Sequence, residues 1–248
     1  MTAVRSLCYH VLFVTWTLLV CLIYLPLLLG PRLWMQCGAR LWLDGALFLQ
    51  RTVLGLSYEC RGLENLPKGP VLIAAKHQSA WDTMIFHRLL SDPAFILKKE
   101  LLRLPFIGWY LSKSGQIPID RAAGMKALKQ MTEESVQAIR DDRQIVIFPE
   151  GHRQPPGRTG DYHSGVAMLR SALNAPVIPV ALNSGLFWGR NAFLRYPGII
   201  TIAFLEPIPA DLDRKSFMTT LKDRIEPATR ALENEALARF PSLSSMQE

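Results

Sequence analysis

The chain has 248 residues, a formal net charge of +7 and a sequence pI near 9.4. That length allows one sizeable core with an appendage, so one main domain is expected. The positive charge favours an anionic membrane surface or a phosphorylated substrate as a partner. The lysines and arginines are scattered among apolar residues rather than grouped in runs with aromatics between them, which argues against nucleic-acid binding.

The first predicted element is an uncharged, mostly apolar run over residues 7–29. A helix needs roughly 20 such residues to cross the core of a bilayer. A secretory signal has a shorter apolar region of about 7–15 residues, followed by a small-residue cleavage site. We therefore predict that this segment enters a membrane.

A second helix is predicted directly after the apolar run. Arg40, Asp44 and Arg51 recur at helical spacing on one face, with apolar residues around the rest of the helix. This pattern favours a helix lying in the headgroup region, where it holds the main domain against the bilayer. A helix packed on the soluble domain is the alternative. Residues 1–60 are accordingly predicted to form a membrane-anchoring helical pair, and residues 61–248 the catalytic domain.

Positive charges are unequal on the two sides of the apolar run. Arg5 precedes it, whereas Arg32, Arg40 and Arg51 follow it. Since positively charged flanks tend to stay in the cytoplasm, the downstream domain is predicted to face the cytoplasm.

After Gly62, short apolar runs alternate with helical patterns, which is typical of an α/β layered domain. We predict a mixed central sheet with flanking helices. The predicted strands are 71–75, 94–97, 116–119, 144–148, 177–182 and 199–205. Helices are predicted over 81–90, before Gln144 and after Asp161. A C-terminal amphipathic helix, kinked at Pro227, is predicted to end the domain.

All four cysteines lie in the first quarter of the chain, at positions 8, 21, 37 and 60. None forms a close pair with metal-ligand spacing, so neither a disulfide framework nor a metal site is expected. The main domain has no thiol after Cys60, which excludes a cysteine nucleophile there. No Gly-x-Ser-x-Gly elbow is present either, so a mechanism through a covalent enzyme intermediate is disfavoured.

A candidate acid–base pair follows the first predicted strand of the main domain. His77 stands just beyond residues 71–75, at the end of a strand where open α/β sheets bind ligands, and Asp82 follows five positions later. A carboxylate on one ring nitrogen fixes the tautomer, so that the other nitrogen can take a proton from a substrate hydroxyl. The alternative is that Asp82 only complements a helix dipole.

Two further strands end in polar groups that suit a phosphate. Residues 115–121 end in Asp120 and Arg121, and residues 148–153 include Glu150, Gly151 and Arg153. An arginine fork matches phosphate oxygens in pairs, and a glycine allows close approach of the backbone to a ligand. The two arginines are therefore candidates for binding a phosphate, and solvated surface arginines are the alternative.

Four ordered blocks carry a family resemblance. They are His77-Gln-Ser-Ala-Trp-Asp82, the stretch 115–121, Phe148-Pro-Glu-Gly-His-Arg153 and Val177-Ile-Pro-Val180. In this order the chain resembles the lysophosphatidate acyltransferase family, in particular its bacterial members, over roughly residues 62–207. The resemblance implies acyl transfer from coenzyme A or acyl carrier protein to the sn-2 hydroxyl of lysophosphatidate, giving phosphatidate.

The resemblance also implies roles for individual residues. It implies that His77 is the general base and Asp82 its orienting partner. Residues expected to bind the acceptor are Arg121 and Arg153 as phosphate cations, Glu150 and Gly151 as groups that shape the site, and Lys98 as a further phosphate candidate. The expected partners are a lysophospholipid acceptor, the acyl donor and membrane lipids at the cytoplasmic face of the inner membrane, with no cofactor or metal.

The chain departs from the family pattern at three positions. His152 stands where the family usually has threonine, Gln154 where serine is common, and Pro118 interrupts the second block, where it suggests an edge or a break. These changes leave open the identity of the acceptor, such as glycerol 3-phosphate or a lyso-aminolipid. A membrane lipid hydrolase and a non-catalytic lipid-binding module are the alternatives from other classes.

Overall fold

The computed structural model describes residues 1–246, without the side chains at positions 121 and 244–246. The helices are α1 Thr2–Ile23, α2 Arg32–Leu49, α3 Trp81–Leu89, α4 Ile107–Lys113, α5 Gly124–Arg140, α6 Gly165–Leu173, α7 Ser184–Phe187 and α8 Arg214–Arg239. The strands are β1 Leu56–Arg61, β2 Val71–Ala75, β3 Pro93–Lys98, β4 Ile117–Ile119, β5 Gln144–Ile147, β6 Val177–Leu182 and β7 Gly198–Phe204.

The strands form one sheet in the order β1-β7-β6-β2-β5-β3-β4. Only β6 and β7 pair antiparallel, so the predicted mixed sheet with flanking helices is confirmed. Pro118 lies in β4 at one edge, where a missing donor is tolerated. The sequence analysis missed β1, which begins at Leu56 within the segment assigned to the anchor.

Both faces of the sheet are covered, as the alternation along β2 shows. Val71, Ile73 and Ala75 face one core with α1, α2 and α3, whereas Leu72 and Ala74 face the other with α5, α6 and α8. Parallel strands buried on both faces consist of continuous apolar residues, which explains why the sequence pattern located them. The carboxyl ends of β2 and β5 consequently lie side by side.

Helix α1 is docked on the domain near both of its ends. Ser6 and Tyr9 are buried near its start and Val20 and Cys21 near its end, and the Ser6 hydroxyl accepts a hydrogen bond from the Arg195 amide at 2.9 Å. α1 alone among the described helices is long and apolar enough to cross a membrane, by length and composition. Its outer side exposes large apolar side chains, including Val4, Leu7, Val11, Val14, Leu18, Leu22 and Ile23.

The polar side of α2 meets the domain. The Arg40 guanidinium donates to the carbonyls of His87 at 3.2 Å and Leu90 at 3.1 Å, at the C-terminal end of α3, where cations suit the free carbonyls. Asp44 pairs with Arg88 at 2.6 Å. Arg40 and Asp44 of the predicted polar face therefore contact the domain, which fits the alternative of a helix packed on it, whereas Arg51 lies beyond α2 and is exposed. Its outward side exposes Leu33, Trp34, Leu41 and Phe48.

An ion cluster fixes the start of α2. Arg32 makes a bidentate pair with Asp92 at 2.8 and 2.7 Å, Gln36 donates to the same carboxylate at 2.9 Å, and Arg143 lies 3.3 Å away. Burial alone would raise the pKa of Asp92, but the hydrogen bond from Arg32 and the charges of Arg143 and Arg32 outweigh it, and its pKa is lowered.

This lowered pKa predicts an acid-sensitive contribution to stability. The carboxylate stabilises the fold above its ordinary pKa of about 3.9, and that contribution is lost as the pH falls through the lower folded value. We expect Asp92→Asn to lower the free energy of unfolding at pH 7. The variant should also lose less of that free energy than wild type does on acidification, measured by urea unfolding between pH 7 and 3. Asp223→Asn, on the exposed side of α8, is the control. Equal acid-side slopes for Asp92→Asn and wild type would contradict the assignment.

Candidate active site

His77 and Asp82 meet in the loop between β2 and α3. The His77 Nδ1 lies 3.0 Å from Asp82 Oδ2, and the side chains are 12% and 0% exposed. Because a carboxylate only accepts hydrogen bonds, Nδ1 carries the proton and Nε2 is left as an acceptor. The pairing predicted from the sequence is therefore present, with the imidazole in the tautomer that a general base requires.

The loop is folded around the Asp82 carboxylate. Its Oδ2 also accepts the backbone amides of Gln78 at 2.7 Å and Ser79 at 2.8 Å, and its Oδ1 accepts the hydroxyl of Ser184 at the start of α7. Four donors thus compensate for the burial of the charge. The five-residue spacing matters because it lets one carboxylate bind both the ring and the turn that carries it.

The loop after β5 contacts both the ring and the backbone of His77. The His77 ring stacks on Phe148 with centroids 4.0 Å apart and planes at 21°. The Gln154 amide donates to the His77 carbonyl at 2.8 Å. The first and third sequence blocks therefore form one site, because parallel pairing of β2 and β5 brings their carboxyl ends together.

Two arginines lie at the same cavity as His77. Arg153 is half-buried and lines the cavity together with Gly151, whose φ of 70° is a backbone conformation that favours glycine. Arg190 also lines it and donates to the Arg153 carbonyl at 3.2 Å. Sequence analysis missed Arg190, which lies beyond the fourth block with no local pattern to mark it.

The remaining predicted ligands differ in placement. Lys98 lines the cavity and pairs with Glu100 at 3.2 Å. Glu150 is fully buried and does not line the cavity, because it accepts from the Lys76 ammonium and the Gly160 amide, both at 2.8 Å. The Arg121 side chain is outside the described part of the structure, although its backbone opens the short turn after β4.

The cavity that contains His77 has a volume of about 1120 Å³ and extends between the sheet domain and the N-terminal helices. Its wall takes apolar side chains from α1, α2 and α5: Val20, Met35, Trp42, Ala127, Leu128 and Met131. Basic residues and three further histidines line it as well: Lys98, Arg153, Arg190, His87, His152 and His163. One space therefore combines an imidazole, cations and an extended apolar surface.

Sequence reasoning also missed buried polar residues next to His77. Lys76 is 1% exposed and is bound by Glu150 and by Glu226 of α8. A lysine at the end of an otherwise apolar strand was the one local signal for this cluster. Its partner on α8 lies 150 positions away, beyond the reach of any spacing argument.

The chain is similar in sequence to known acyltransferases. The acyltransferase family model matches residues 57–183. The 1-acyl-sn-glycerol-3-phosphate acyltransferase of Pseudomonas aeruginosa is 36% identical over 185 residues, covering 75% of this chain and 72% of that protein. The Saccharomyces cerevisiae protein of the same name is 28% identical over 181 residues, covering 68% and 58% of the two chains.

A solved structure shares the fold. The crystal structure of the 1-acyl-sn-glycerophosphate acyltransferase PlsC from Thermotoga maritima aligns with a TM-score of 0.73 at 21% identity, covering 94% of this chain and 98% of that one. The matched family span includes all four sequence blocks whole, and with them both members of the His77–Asp82 pair. The resemblance drawn from those blocks is confirmed, and the chain belongs to the acyltransferase family.

Proposed function

We propose that this enzyme transfers a fatty acyl group from acyl coenzyme A or acyl carrier protein to the sn-2 hydroxyl of lysophosphatidate, giving phosphatidate. The observation that carries the proposal is the placement of the His77 imidazole in one cavity with Arg153 and a long apolar wall. The cation matches a phosphate, the imidazole matches a hydroxyl, and the apolar wall matches an acyl chain. The names of the relatives in Pseudomonas and yeast support the same acceptor.

The proposed chemistry is a single acyl transfer with His77 as the proton carrier. Nε2 takes the proton of the acceptor hydroxyl while its oxygen attacks the thioester carbonyl, forming a tetrahedral intermediate. When the C–S bond breaks, the same proton passes to the leaving thiolate, so an ester and a free thiol are produced. Asp82 holds Nδ1–H throughout and stabilises the imidazolium that forms between the two proton transfers.

The exposed faces of α1 and α2 support binding of the enzyme to a membrane surface. Both helices turn apolar side chains outward, whereas α1 is docked at both ends and α2 turns polar groups to the domain. This arrangement favours helices that lie in one leaflet over a helix that leaves the domain to cross the bilayer. We assign the enzyme to the cytoplasmic face of the inner membrane, where its lipid acceptor can enter the cavity sideways.

The proposed phosphate site makes a prediction for Arg153. We expect Arg153→Ala to weaken catalysis on lysophosphatidate by about 1.5–3 kcal/mol in kcat/KM, because a charged hydrogen bond is lost. A lysolipid acceptor without a phosphate monoester should lose much less. The measurement is acyl transfer by the purified protein, with labelled acyl coenzyme A and a panel of acceptors.

Arg140→Ala, at the exposed end of α5, is the matched control for the loss of one positive charge. It should leave the whole panel unchanged. An equal loss with Arg153→Ala on charged and uncharged acceptors would contradict the phosphate assignment. Failure of the wild type to use lysophosphatidate while it uses another lysolipid would overturn the proposed acceptor.

A further inference from the structure

Helix α8 carries two buried carboxylates that face the loop between β2 and α3, which contains His77. Glu226 and Glu233 are each 6% exposed and stand seven positions apart. Two turns of an α-helix take 7.2 residues, so both side chains leave the same face of α8, roughly 10 Å apart. Neither residue lines the cavity that contains His77, and no other described residue of α8 does so.

Glu226 binds the residue before His77. The Lys76 ammonium donates to its two oxygens at 2.9 and 3.0 Å, and also to Glu150 at 2.8 Å and the Arg158 carbonyl at 2.9 Å. Glu226 accepts further hydrogen bonds from hydroxyls of Thr159 at 2.7 Å and Tyr162 at 2.8 Å. Lys76 is therefore fixed at its far end by several partners at once.

Glu233 binds the residue after His77. Gln78 Nε2 donates to it at 2.6 Å, and the Gly157 amide donates to both its oxygens at 3.1–3.2 Å. The other end of the Gln78 amide accepts the Gly185 amide at 3.1 Å. Gln78 is fully buried, so this contact fixes the segment next to His77 inside the protein.

The two contacts match the geometry of an extended chain. Alternate residues of such a chain point to opposite sides, so Lys76 and Gln78 face α8 while His77 between them faces the cavity. A buried cluster of several carboxylates around one ammonium is costly to desolvate, and replacement of such clusters by apolar residues of similar volume often leaves stability unchanged or raises it. Stability alone is therefore a poor explanation for this arrangement.

We propose that Glu226 and Glu233 are positioning residues for acyl transfer, which hold the chain on both sides of His77 so that Nε2 faces the acceptor hydroxyl. This inference rests on the proposed role of His77 as general base. A shift of about 1 Å in a reacting group can cost on the order of 100-fold in rate. Loosening either anchor should therefore lower kcat, and it should leave KM nearly unchanged because neither residue touches the cavity.

The test uses the full-length protein and three variants at the Glu233 contact. We expect Glu233→Ala to lower kcat by roughly ten- to 100-fold, with KM for lysophosphatidate and acyl coenzyme A within about twofold of wild type. Glu233→Gln keeps an oxygen for Gln78 and Gly157 and should restore kcat to within about threefold of wild type. Gln78→Ala removes the other side of the contact and should reproduce the kcat loss, even where Glu233→Ala fails to fold.

Glu235→Gln is the matched control, because this glutamate lies on the exposed side of the same helix and pairs with Arg61 at 2.6 Å. It should behave as wild type. A raised KM with unchanged kcat, or no rescue by Glu233→Gln, would overturn the positioning role. If His77→Ala is inactive while Glu233→Ala and Gln78→Ala keep wild-type kcat, only this inference fails. If His77→Ala itself transfers normally, the proposed function of His77 fails first.

Discussion

Replacing His77 with alanine is expected to lower kcat for acyl transfer by about 10²–10⁴-fold, the usual contribution of a positioned acid–base group. The reason is that Nε2 is the one ring nitrogen left to accept a proton, since Nδ1 is held 3.0 Å from Asp82. The residual rate should come from binding and orientation of the two substrates. The measurement is the steady-state rate with labelled acyl coenzyme A and lysophosphatidate.

The fold should survive this change, because the imidazole contributes one side-chain hydrogen bond and one ring contact with Phe148. The thermal midpoint and the binding of both substrates are therefore the companion measurements. His10→Ala, on α1 and away from the cavity wall, is the matched histidine control and should keep full activity. A wild-type kcat in a folded His77→Ala protein would contradict the assignment of His77 as the base.

Asp82→Asn is expected to lower kcat on the order of 10³-fold or more. The loss of charge is one cause, and the changed hydrogen bonding of His77 is a second. An asparagine amide offers one accepting oxygen, yet the carboxylate serves the backbone amides of Gln78 and Ser79, the Ser184 hydroxyl and the His77 ring. If the amide nitrogen faces His77, it donates to Nδ1 and the proton moves to Nε2, which can no longer act as a base.

The same substitution should also reduce stability. A buried donor that loses its acceptor costs about 1–3 kcal/mol in the free energy of unfolding. Asp44→Asn, in the exposed pair with Arg88, provides the control and should change both kcat and stability little. Near-wild-type kcat for Asp82→Asn would contradict the orienting role. If stability fell at the same time, Asp82 would be a purely structural residue.

Features encoded by local pattern were predictable from the sequence. The buried strands β2 and β6 appear as unbroken apolar runs, and His77 and Asp82 share one short loop whose spacing already suits a hydrogen bond. The edge position of Pro118 followed from its missing amide proton. In each case the decisive interaction joins residues close in sequence or follows from the character of a single residue.

Features that depend on distant contacts were not predictable. The direction of the polar face of α2 depends on Arg40 reaching carbonyls at the end of α3, 47 and 50 positions away. The network around Lys76 depends on Glu226, whose carboxylate looks like any other polar position of an amphipathic helix until α8 is packed on the sheet. β1 was missed although its residues alternate in polarity and Gly55 precedes it with a φ of 68°, because residues 1–60 had been assigned to the membrane-anchoring helical pair.

The most direct test of acyl transfer by His77 measures the released thiol and the lipid product together, in one reaction of the wild-type enzyme with acyl coenzyme A. Direct transfer predicts free coenzyme A and phosphatidate in equal amounts, only when lysophosphatidate is present, with both lost in His77→Ala. Release of coenzyme A and free fatty acid without an acceptor would contradict the account and identify a hydrolase instead.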